Sequence, residues 1–275
     1  MSPAVDDVIE FLTSLFDCGL GYSAINTARS ALSSTLTVDN KPVGTHPLIV
    51  RFMKGVFNLK PTLPKNNVTW DPAILLRFLR SLSPVKLLSL KDLSLKLLAL
   101  LWVLTGQRSQ GLQLIDIRNV TLTKHCVKIR YGDKMKTSRP GFQQKELVIK
   151  AYAPDRRLCV VTVLAHFLTR TKQIRNDVTQ LFISYQKPHK EVSRDTISRW
   201  IKVVMCRAGL DVEIFSPHTV RGASTSAAAR AQVPIETILA TAGWSKECTF
   251  RKYYMKPVND GGKEFGAKIL EKFVS

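Results

Sequence analysis

The sequence is short of acidic residues, and the shortage is uneven along the chain. Against 41 Lys and Arg it has only 21 Asp and Glu, so its formal net charge is +20. Residues 1–65 carry a net charge of +1, and residues 66–275 carry the remaining +19. Such an excess on one globular segment indicates a polyanionic partner, of which duplex nucleic acid is the commonest. A generic basic surface or a membrane-binding face is the alternative interpretation.

Paired cysteines and long hydrophobic runs are also lacking. The 5 cysteines are scattered without a CxxC spacing, which argues against a disulfide scaffold and against a zinc site. The most apolar stretch, residues 87–104, is interrupted by Lys91, Asp92 and Lys96, and it therefore predicts a buried helix and not a membrane span. Acidic residues stand where a signal peptide would be basic. We expect a soluble protein of a reducing, intracellular compartment.

The N-terminal part of the chain has a helical pattern. Apolar residues recur at helical spacing in three segments within residues 5–57, and a stretch rich in proline and asparagine, residues 59–72, follows them. This stretch is typical of a linker, and the charge density changes across it. We therefore predict a helical N-terminal domain in residues 1–65, with a boundary near Lys65.

The remaining residues, 66–275, predict a second domain that is also mainly helical. The leucine-rich segment 86–104 is too apolar for a surface helix and predicts a central core helix. Between Val120 and Tyr152 apolar and polar residues alternate in three runs, which predicts a small three-stranded antiparallel sheet. Helical patterns return after the sheet. The predicted fold is therefore mainly α, with helices around one small sheet.

A set of residues in a fixed order has the chemistry to break a phosphodiester bond without a metal. Two arginines would hold the non-bridging oxygens of a phosphate as negative charge builds there. A tyrosine would attack phosphorus, and a lysine would protonate the departing 5′ oxygen. Each residue alone has a more ordinary explanation, such as a surface arginine, a solvated basic turn or a packed tyrosine pair. In chain order the set is Arg108, Lys136, His218, Arg221, Trp244 and the pair Tyr253 and Tyr254.

The segment SPHTVRGASTSAAA is the most specific part of this set. Ser216 and Pro217 predict the start of a helix, and His218 and Arg221 lie one turn apart on one face of it. Small side chains follow, so this helix can pack closely against a neighbour. A helix N-terminus with a histidine and an arginine on one face favours a phosphate site.

The joint pattern Arg–Lys–His-x-x-Arg–Trp–Tyr resembles the tyrosine recombinase (phage integrase) family over the C-terminal two-thirds of the chain. Several sequence motifs are similar to those of the recombinases of eukaryotic DIRS-type and Crypton mobile elements. These motifs are TGQR, KTSRPG, HTVRGASTSAA, and AGW followed by TFRKYYMKP. The resemblance implies a core-binding domain in residues 1–65 and a tyrosine-recombinase catalytic domain in residues 66–275. It implies no metal and no other cofactor.

The resemblance also implies a role for each residue. Arg108 and Arg221 would clamp the scissile phosphate, and Lys136 would protonate the 5′ oxygen. His218 would act as acid or base near the nucleophile. Trp244 would donate its indole N–H to a phosphate oxygen.

Two positions leave alternatives open. Many members carry an acidic residue three positions after the first arginine, where this chain has Gly111, so Gln110 or Asp116 would have to support Arg108. Lys134 competes with Lys136 in the same predicted hairpin, and we prefer Lys136 because Lys-Thr at the tip matches the family better.

The nucleophile is one of two adjacent tyrosines. Counting nine residues from Trp244, as in bacterial and phage members, gives Tyr253. In the eukaryotic mobile-element recombinases the helix resembles TF-x-x-F-Tyr-x-x-P, and this register gives Tyr254. Neighbouring helical residues point about 100° apart, so only one of them can face a given site. We favour Tyr254 and keep Tyr253 as the alternative.

The resemblance further implies contacts with duplex DNA and with other copies of the chain. The helix predicted at 193–209 resembles one that lies in the major groove, and residues 1–65 would close over the opposite side of the duplex. An amphipathic tail after residue 258 would dock on a neighbouring protomer, which gives a tetramer on two DNA sites and a monomer or dimer off DNA. A nuclear location follows from the resemblance alone. The residues expected to contact DNA are Arg139 in the hairpin and Arg194, Arg199 and Lys202 on the helix.

The sequence thus predicts a site-specific DNA recombinase of a mobile element, which cleaves DNA through a 3′-phosphotyrosine and exchanges strands through a Holliday junction. Two alternatives stay open. One is a type IB topoisomerase-like enzyme with the same chemistry, and the other is a domesticated DNA-binding protein that no longer uses its site.

Overall fold

The computed structural model of the chain describes residues 5–61, 68–132, 146–244 and 247–258. The chain divides into two compact units, Met1–Lys65 and Asn66–Ser275. In the ranges just given, no helix is long and apolar enough to cross a membrane. The predicted mainly α fold with one small three-stranded sheet is confirmed.

The first unit is a three-helix cluster with a short hairpin. The apolar stripes of its helices meet in a core of side chains such as Leu12, Ile25 and Ile49, all of which are fully buried. The sequence analysis missed the hairpin, whose turn residues Asp39 and Asn40 both have positive φ, as a tight two-residue turn requires. The elements are α1 (Val5–Asp17), α2 (Tyr22–Thr35), β1 (Thr37–Val38), β2 (Lys41–Pro42) and α3 (Pro47–Leu59).

The second unit is built around the leucine-rich helix that the sequence placed at its centre. This helix, α5, begins after Ser89, whose hydroxyl accepts a hydrogen bond from the Asp92 N–H, and residues 93–103 are all buried. Even Lys96 lies inside, where its ammonium donates to the Leu82 carbonyl and burial lowers its pKa to about 8. The helices are α4 (Pro72–Ser81), α5 (Leu90–Thr105), α6 (Ser109–Gln113), α7 (Val160–Thr171), α8 (Arg194–Arg207), α9 (Val220–Arg230), α10 (Ile235–Ala242) and α11 (Glu247–Tyr253).

The three-stranded sheet is antiparallel, as predicted, with β4 in the middle. Its strands are β3 (Val120–Leu122), β4 (Cys126–Ile129) and β5 (Leu147–Lys150), and the inward side chains of β4 are fully buried against α7. Residues 133–145 connect β4 to β5. The predicted hairpin residues Lys134, Lys136 and Arg139 therefore lie outside the described residues.

The last three helices share a small core of their own. Trp244 and Phe250 stack with ring centroids 5.7 Å apart, and Ile238 and Ala242 of α10 pack beside them. Alanines of α9 close the cluster. The small residues of α9 thus let α10 and α11 approach it closely, which brings the chain just after α11 against α9.

Candidate active site

Arg221, in the first turn of α9, is the buried centre of the site. Its side chain is 1% exposed, and its two terminal nitrogens donate to the carbonyls of Gly106 at 2.9 Å and Ala242 at 2.8 Å. These carbonyls end α5 and α10, and each helix terminates at a glycine in the left-handed region, Gly106 at φ 60° and Gly243 at φ 70°. The partial negative charge of two helix C-termini therefore stabilises a buried guanidinium.

The charge of Arg221 is retained in spite of this burial. Removal from water lowers its pKa to about 10, and the nearby positive charge of Arg108 acts in the same direction, while the Tyr254 hydroxyl opposes them. A pKa of about 10 leaves the guanidinium protonated at neutral pH. The site therefore presents a fixed positive charge.

Arg108 stands at the junction between α5 and α6 and faces the same cavity as Arg221. Its side chain is partly buried and has no hydrogen bond or ion pair to any other described residue. The cavity has a volume of about 400 Å³, and its described lining contains three arginines and no carboxylate. Arg194 is paired with Asp195 at 3.2 Å outside this lining, whereas Arg108 and Arg221 share the cavity without a carboxylate in its described lining, and such like charges favour an anion between them. The lining includes Arg108, Gln110, Arg194, Ser198, His218 and Arg221.

The two sequence-based candidates for the support of Arg108, Asp116 and Gln110, differ in their positions. Asp116 is held by Arg118 at 2.6 Å and by the Thr179 hydroxyl at 2.8 Å, and these hydrogen bonds, chiefly that of Arg118, lower its pKa to about 2. The hypothesis that Asp116 supports Arg108 directly is wrong for the described residues, because no hydrogen bond or ion pair joins the two side chains. Gln110, the other candidate, lines the cavity beside Arg108.

Gln107 is a residue of this junction that the sequence analysis missed. It is 3% exposed, and its amide nitrogen donates to the Thr241 carbonyl at 2.8 Å. It thereby ties the end of α5 to the last turn of α10, next to the carbonyl that holds Arg221. A glutamine between Gly106 and Arg108 was the available signal, since a polar side chain beside a core helix needs a partner.

Tyr254 lies against three of the predicted catalytic residues, Trp244, His218 and Arg221. Its ring centroid is 4.4 Å from that of Trp244 and 6.3 Å from that of His218, and the Arg221 guanidinium carbon is 5.6 Å from it. The same guanidinium lies 4.6 Å from the Trp244 ring. The structure therefore brings Arg108, Arg221, His218, Trp244 and Tyr254 together around one region.

Tyr253 occupies a different position. It is 56% exposed, and the Lys252 ammonium lies 5.3 Å from its ring centroid. It borders a second cavity of about 290 Å³, which His218 and Tyr254 also line. Among the described residues it makes no ring contact with Trp244 and none with Arg221.

Trp244 contributes a buried donor. Its indole nitrogen is sealed from solvent and has no hydrogen-bond partner among the described residues. An unpaired buried donor costs about 1–3 kcal/mol.

The helix predicted to face DNA has the expected polarity. The Ser193 hydroxyl accepts a hydrogen bond from the Thr196 N–H and begins α8, whose apolar stripe, including Ile197 and Ile201, is buried. The three basic residues of this helix that were predicted to contact DNA, Arg194, Arg199 and Lys202, are exposed. Arg194 also lines the arginine cavity, so the N-terminus of α8 borders the site.

Several solved structures are similar to this chain in fold. No curated protein sequence matches the chain. Among solved structures, XerA recombinase aligns with a TM-score of 0.53 at 16% identity, over 98% of this chain and 92% of that one. XerH site-specific recombinase bound to palindromic difH substrate aligns with a TM-score of 0.60 at 17% identity, over 98% of this chain and 71% of that one. The Tn1549 transposon integrase in complex with transposon right end DNA aligns with a TM-score of 0.60 at 15% identity, over 98% of this chain and 85% of that one.

At such identities these similarities concern the fold. The sequence profile described as the Phage integrase family matches residues 78–259 directly, and this range contains every predicted catalytic residue. The match covers well over half of the chain. The chain therefore belongs to the phage integrase family, that of the tyrosine recombinases.

Proposed function

We propose that this protein is a site-specific DNA recombinase of a mobile element, related to the DIRS-type and Crypton enzymes. One observation carries the proposal: the Tyr254 ring lies against Arg221, His218 and Trp244, beside an arginine-lined cavity without a carboxylate in its described lining. A nucleophile next to a site for an anion is the arrangement that phosphoryl transfer requires.

In the proposed first step, the Tyr254 oxygen attacks the scissile phosphorus while the bond to the 5′ oxygen breaks. Arg108 and Arg221 hold the non-bridging oxygens, and Trp244 donates its unpaired N–H to one of them. His218 accepts the tyrosine proton, and Lys136 gives a proton to the leaving 5′ oxygen. The products are a 3′-phosphotyrosine and a free 5′ hydroxyl.

In the second step, the 5′ hydroxyl of another strand gives its proton to Lys136 and attacks the phosphotyrosine, and Tyr254 leaves and takes its proton back from His218. The number of phosphodiester bonds is unchanged, because the phosphotyrosine conserves the energy of the bond. Exchange of the first pair of strands gives a Holliday junction, and exchange of the second pair resolves it to recombinant DNA. Neither a nucleotide nor a metal is required by this scheme.

DNA binding and assembly in the proposal rest on the distribution of charge and of apolar surface. The +19 charge of residues 66–275 and the exposed arginines of α8 favour a duplex, with the first unit as a clamp on its opposite side. A groove of about 580 Å³ at the edge of β5 is lined by the exposed side chains Leu104, Val148 and Tyr152. In the proposed tetramer this groove would receive the tail of a neighbouring protomer, the residues after 258, which lie outside the described residues. Light scattering on the DNA-bound complex measures how many protein copies it contains. The proposal also includes a nuclear location for the protein.

Formation of a covalent adduct tests the proposed function. Duplexes bound by the wild-type chain are selected from a random pool, nicked within the bound region, and incubated with protein in the presence of a chelator. The expected product is a denaturant-resistant, protease-sensitive protein–DNA adduct, because a nick lets the short strand diffuse away and prevents religation. Tight binding without an adduct on any nicked site would contradict the proposal and favour a DNA-binding protein. Adducts with supercoil relaxation but no junction intermediates would favour a topoisomerase-like enzyme.

Replacement of Lys136 tests its role as general acid. Lys136→Ala is expected to slow cleavage about 100-fold or more on ordinary DNA, since protonation of the 5′ oxygen is lost. The rate is expected to recover on DNA in which sulfur replaces this oxygen, because a thiol has a pKa near 8.5 and leaves without a proton. Lys134→Ala is the matched control and is expected to cleave both substrates at the wild-type rate. A defect of equal size on both substrates for Lys136→Ala would contradict the assignment.

A further inference from the structure

The backbone of Tyr254 is held on α9 by a buried hydroxyl. Ser226 is 2% exposed, and its Oγ donates to the Tyr254 carbonyl at 2.7 Å. The same Oγ accepts a hydrogen bond from the Lys256 N–H at 2.9 Å. One side chain thus binds the backbone on both sides of Met255.

The carbonyl of Tyr254 needs this partner because α11 ends just before it. The Tyr254 N–H still donates to the Phe250 carbonyl at 2.9 Å, as in a helix, but the helix ends at Tyr253, and carbonyls at a helix end lack partners within the helix. The chain then turns away. Ser226 therefore satisfies the carbonyl of the residue that bears the proposed nucleophile.

The face of α9 that carries Ser226 is shaped for this contact. Gly222 lies one turn earlier on the same face, and a Cβ placed on it would be 3.6 Å from the Tyr254 carbonyl oxygen. A contact of this length is an ordinary van der Waals contact, so the backbone after α11 lies directly on this face of α9. The same helix carries Arg221, so one rigid element holds both the phosphate-binding arginine and the backbone of the nucleophile.

A second attachment, three residues later, limits the remaining freedom of the segment. The Thr69 N–H donates to the Pro257 carbonyl at 2.8 Å, and Thr69 and Val258 form a parallel bridge. Arg230, at the end of α9, also donates to the Lys256 carbonyl at 3.4 Å, whereas Ser226 is the α9 side chain that binds the Tyr254 carbonyl. Loss of the Ser226 hydroxyl would therefore free the nucleophile's backbone while the rest of the fold is kept.

We infer that Ser226 is a positioning residue for the nucleophile, acting through the backbone of Tyr254 and not on the phosphate. The inference rests on the proposed function, since it assigns a task within that reaction. A misplacement of about 1 Å at a reacting atom costs about 100-fold in rate, so removal of this hydroxyl is expected to slow cleavage by about tenfold to 100-fold. DNA affinity is expected to stay within about twofold, because the arginine cavity and α8 are unchanged.

Two matched comparisons test the inference. Ser224 lies on the same helix, and its hydroxyl is buried without a hydrogen-bond partner among the described residues, so Ser224→Ala removes the same atom without breaking a contact. Ser226→Thr and Ser226→Val have the same shape and differ only in whether the hydroxyl is present. For each variant the single-turnover rate of adduct formation at saturating nicked DNA, the DNA Kd and the Tm are measured.

The expected result is slow cleavage by Ser226→Ala and Ser226→Val, near wild-type cleavage by Ser226→Thr and Ser224→Ala, and an unchanged Kd throughout. Equal rates for the Thr and Val variants would overturn the inference, as would a wild-type rate for Ser226→Ala. If Ser226→Ala does not fold, the Thr and Val pair decides. Wild-type protein on the same DNA is the reference: if it forms no adduct, the proposed function fails, whereas an adduct with no difference between variants refutes only the role of Ser226.

Discussion

Tyr254→Phe is expected to abolish the covalent protein–DNA adduct, with a loss of at least about a thousandfold in cleavage rate. The variant lacks only the oxygen that would attack phosphorus, so its ring keeps its contacts with Trp244 and Arg221 at 4.4 Å and 5.6 Å. Folding and DNA affinity are therefore expected to remain at wild-type levels. The measurement is the amount of denaturant-resistant adduct on nicked DNA, with Kd and Tm determined in parallel.

Tyr253→Phe is the matched control for this experiment. Tyr253 is 56% exposed, and the loss of one exposed hydroxyl is expected to change the cleavage rate by no more than about threefold. The opposite result, an adduct lost in Tyr253→Phe and kept in Tyr254→Phe, would move the nucleophile to Tyr253. It would also require α11 to turn by about 100° on binding DNA, because adjacent helical side chains differ by that angle.

The two arginines are expected to respond differently to replacement by alanine, although both are needed for cleavage. Each variant is expected to lose about 100-fold to 1,000-fold in cleavage rate, as is typical when a donor to the transition state is removed. Arg108→Ala is expected to keep its stability within about 0.5 kcal/mol, since the Arg108 side chain has no hydrogen bond or ion pair to another described residue and its charge opposes that of Arg221.

Arg221→Ala is expected to cost about 2–5 kcal/mol in the free energy of unfolding. It leaves the carbonyls of Gly106 and Ala242 buried without their donor, and each such group costs about 1–3 kcal/mol. Denaturant unfolding and adduct formation, measured on both variants, separate the two roles. Cleavage by Arg108→Ala within about tenfold of the wild-type rate would contradict its assignment to the phosphate.

Much of the fold follows from local sequence. The period of the apolar residues determined the helices and the three strands, because a helix or a half-buried strand must present one face to the core. The short hairpin of the first unit escaped this reasoning, since its strands have only two residues each and show no period. Its signal was the turn itself, in which Asp39 and Asn40 accept positive φ.

The residue types of the candidate site could also be predicted from the sequence, but the hydrogen-bond partners of these residues could not. Asp116 was a plausible support for Arg108 by its position, yet the structure gives its oxygens to Arg118 and Thr179. The hydrogen bond of Thr179 spans 63 residues and that of Gln107 to Thr241 spans 134. Such contacts depend on how distant elements pack, and local patterns carry no information about them.

By itself, the sequence determined the mainly α fold, the basic charge of residues 66–275 and the membership of the phage integrase family, because composition, period and motif are local properties of the chain. Only the tertiary structure decided which tyrosine ring lies against Arg221 and Trp244, and that Ser226 holds the backbone of this residue. Tyr253 and Tyr254 are adjacent and chemically identical, so spacing cannot separate them. The end of α11 and its packing on α9 distinguish them, and both depend on contacts between residues far apart in the chain.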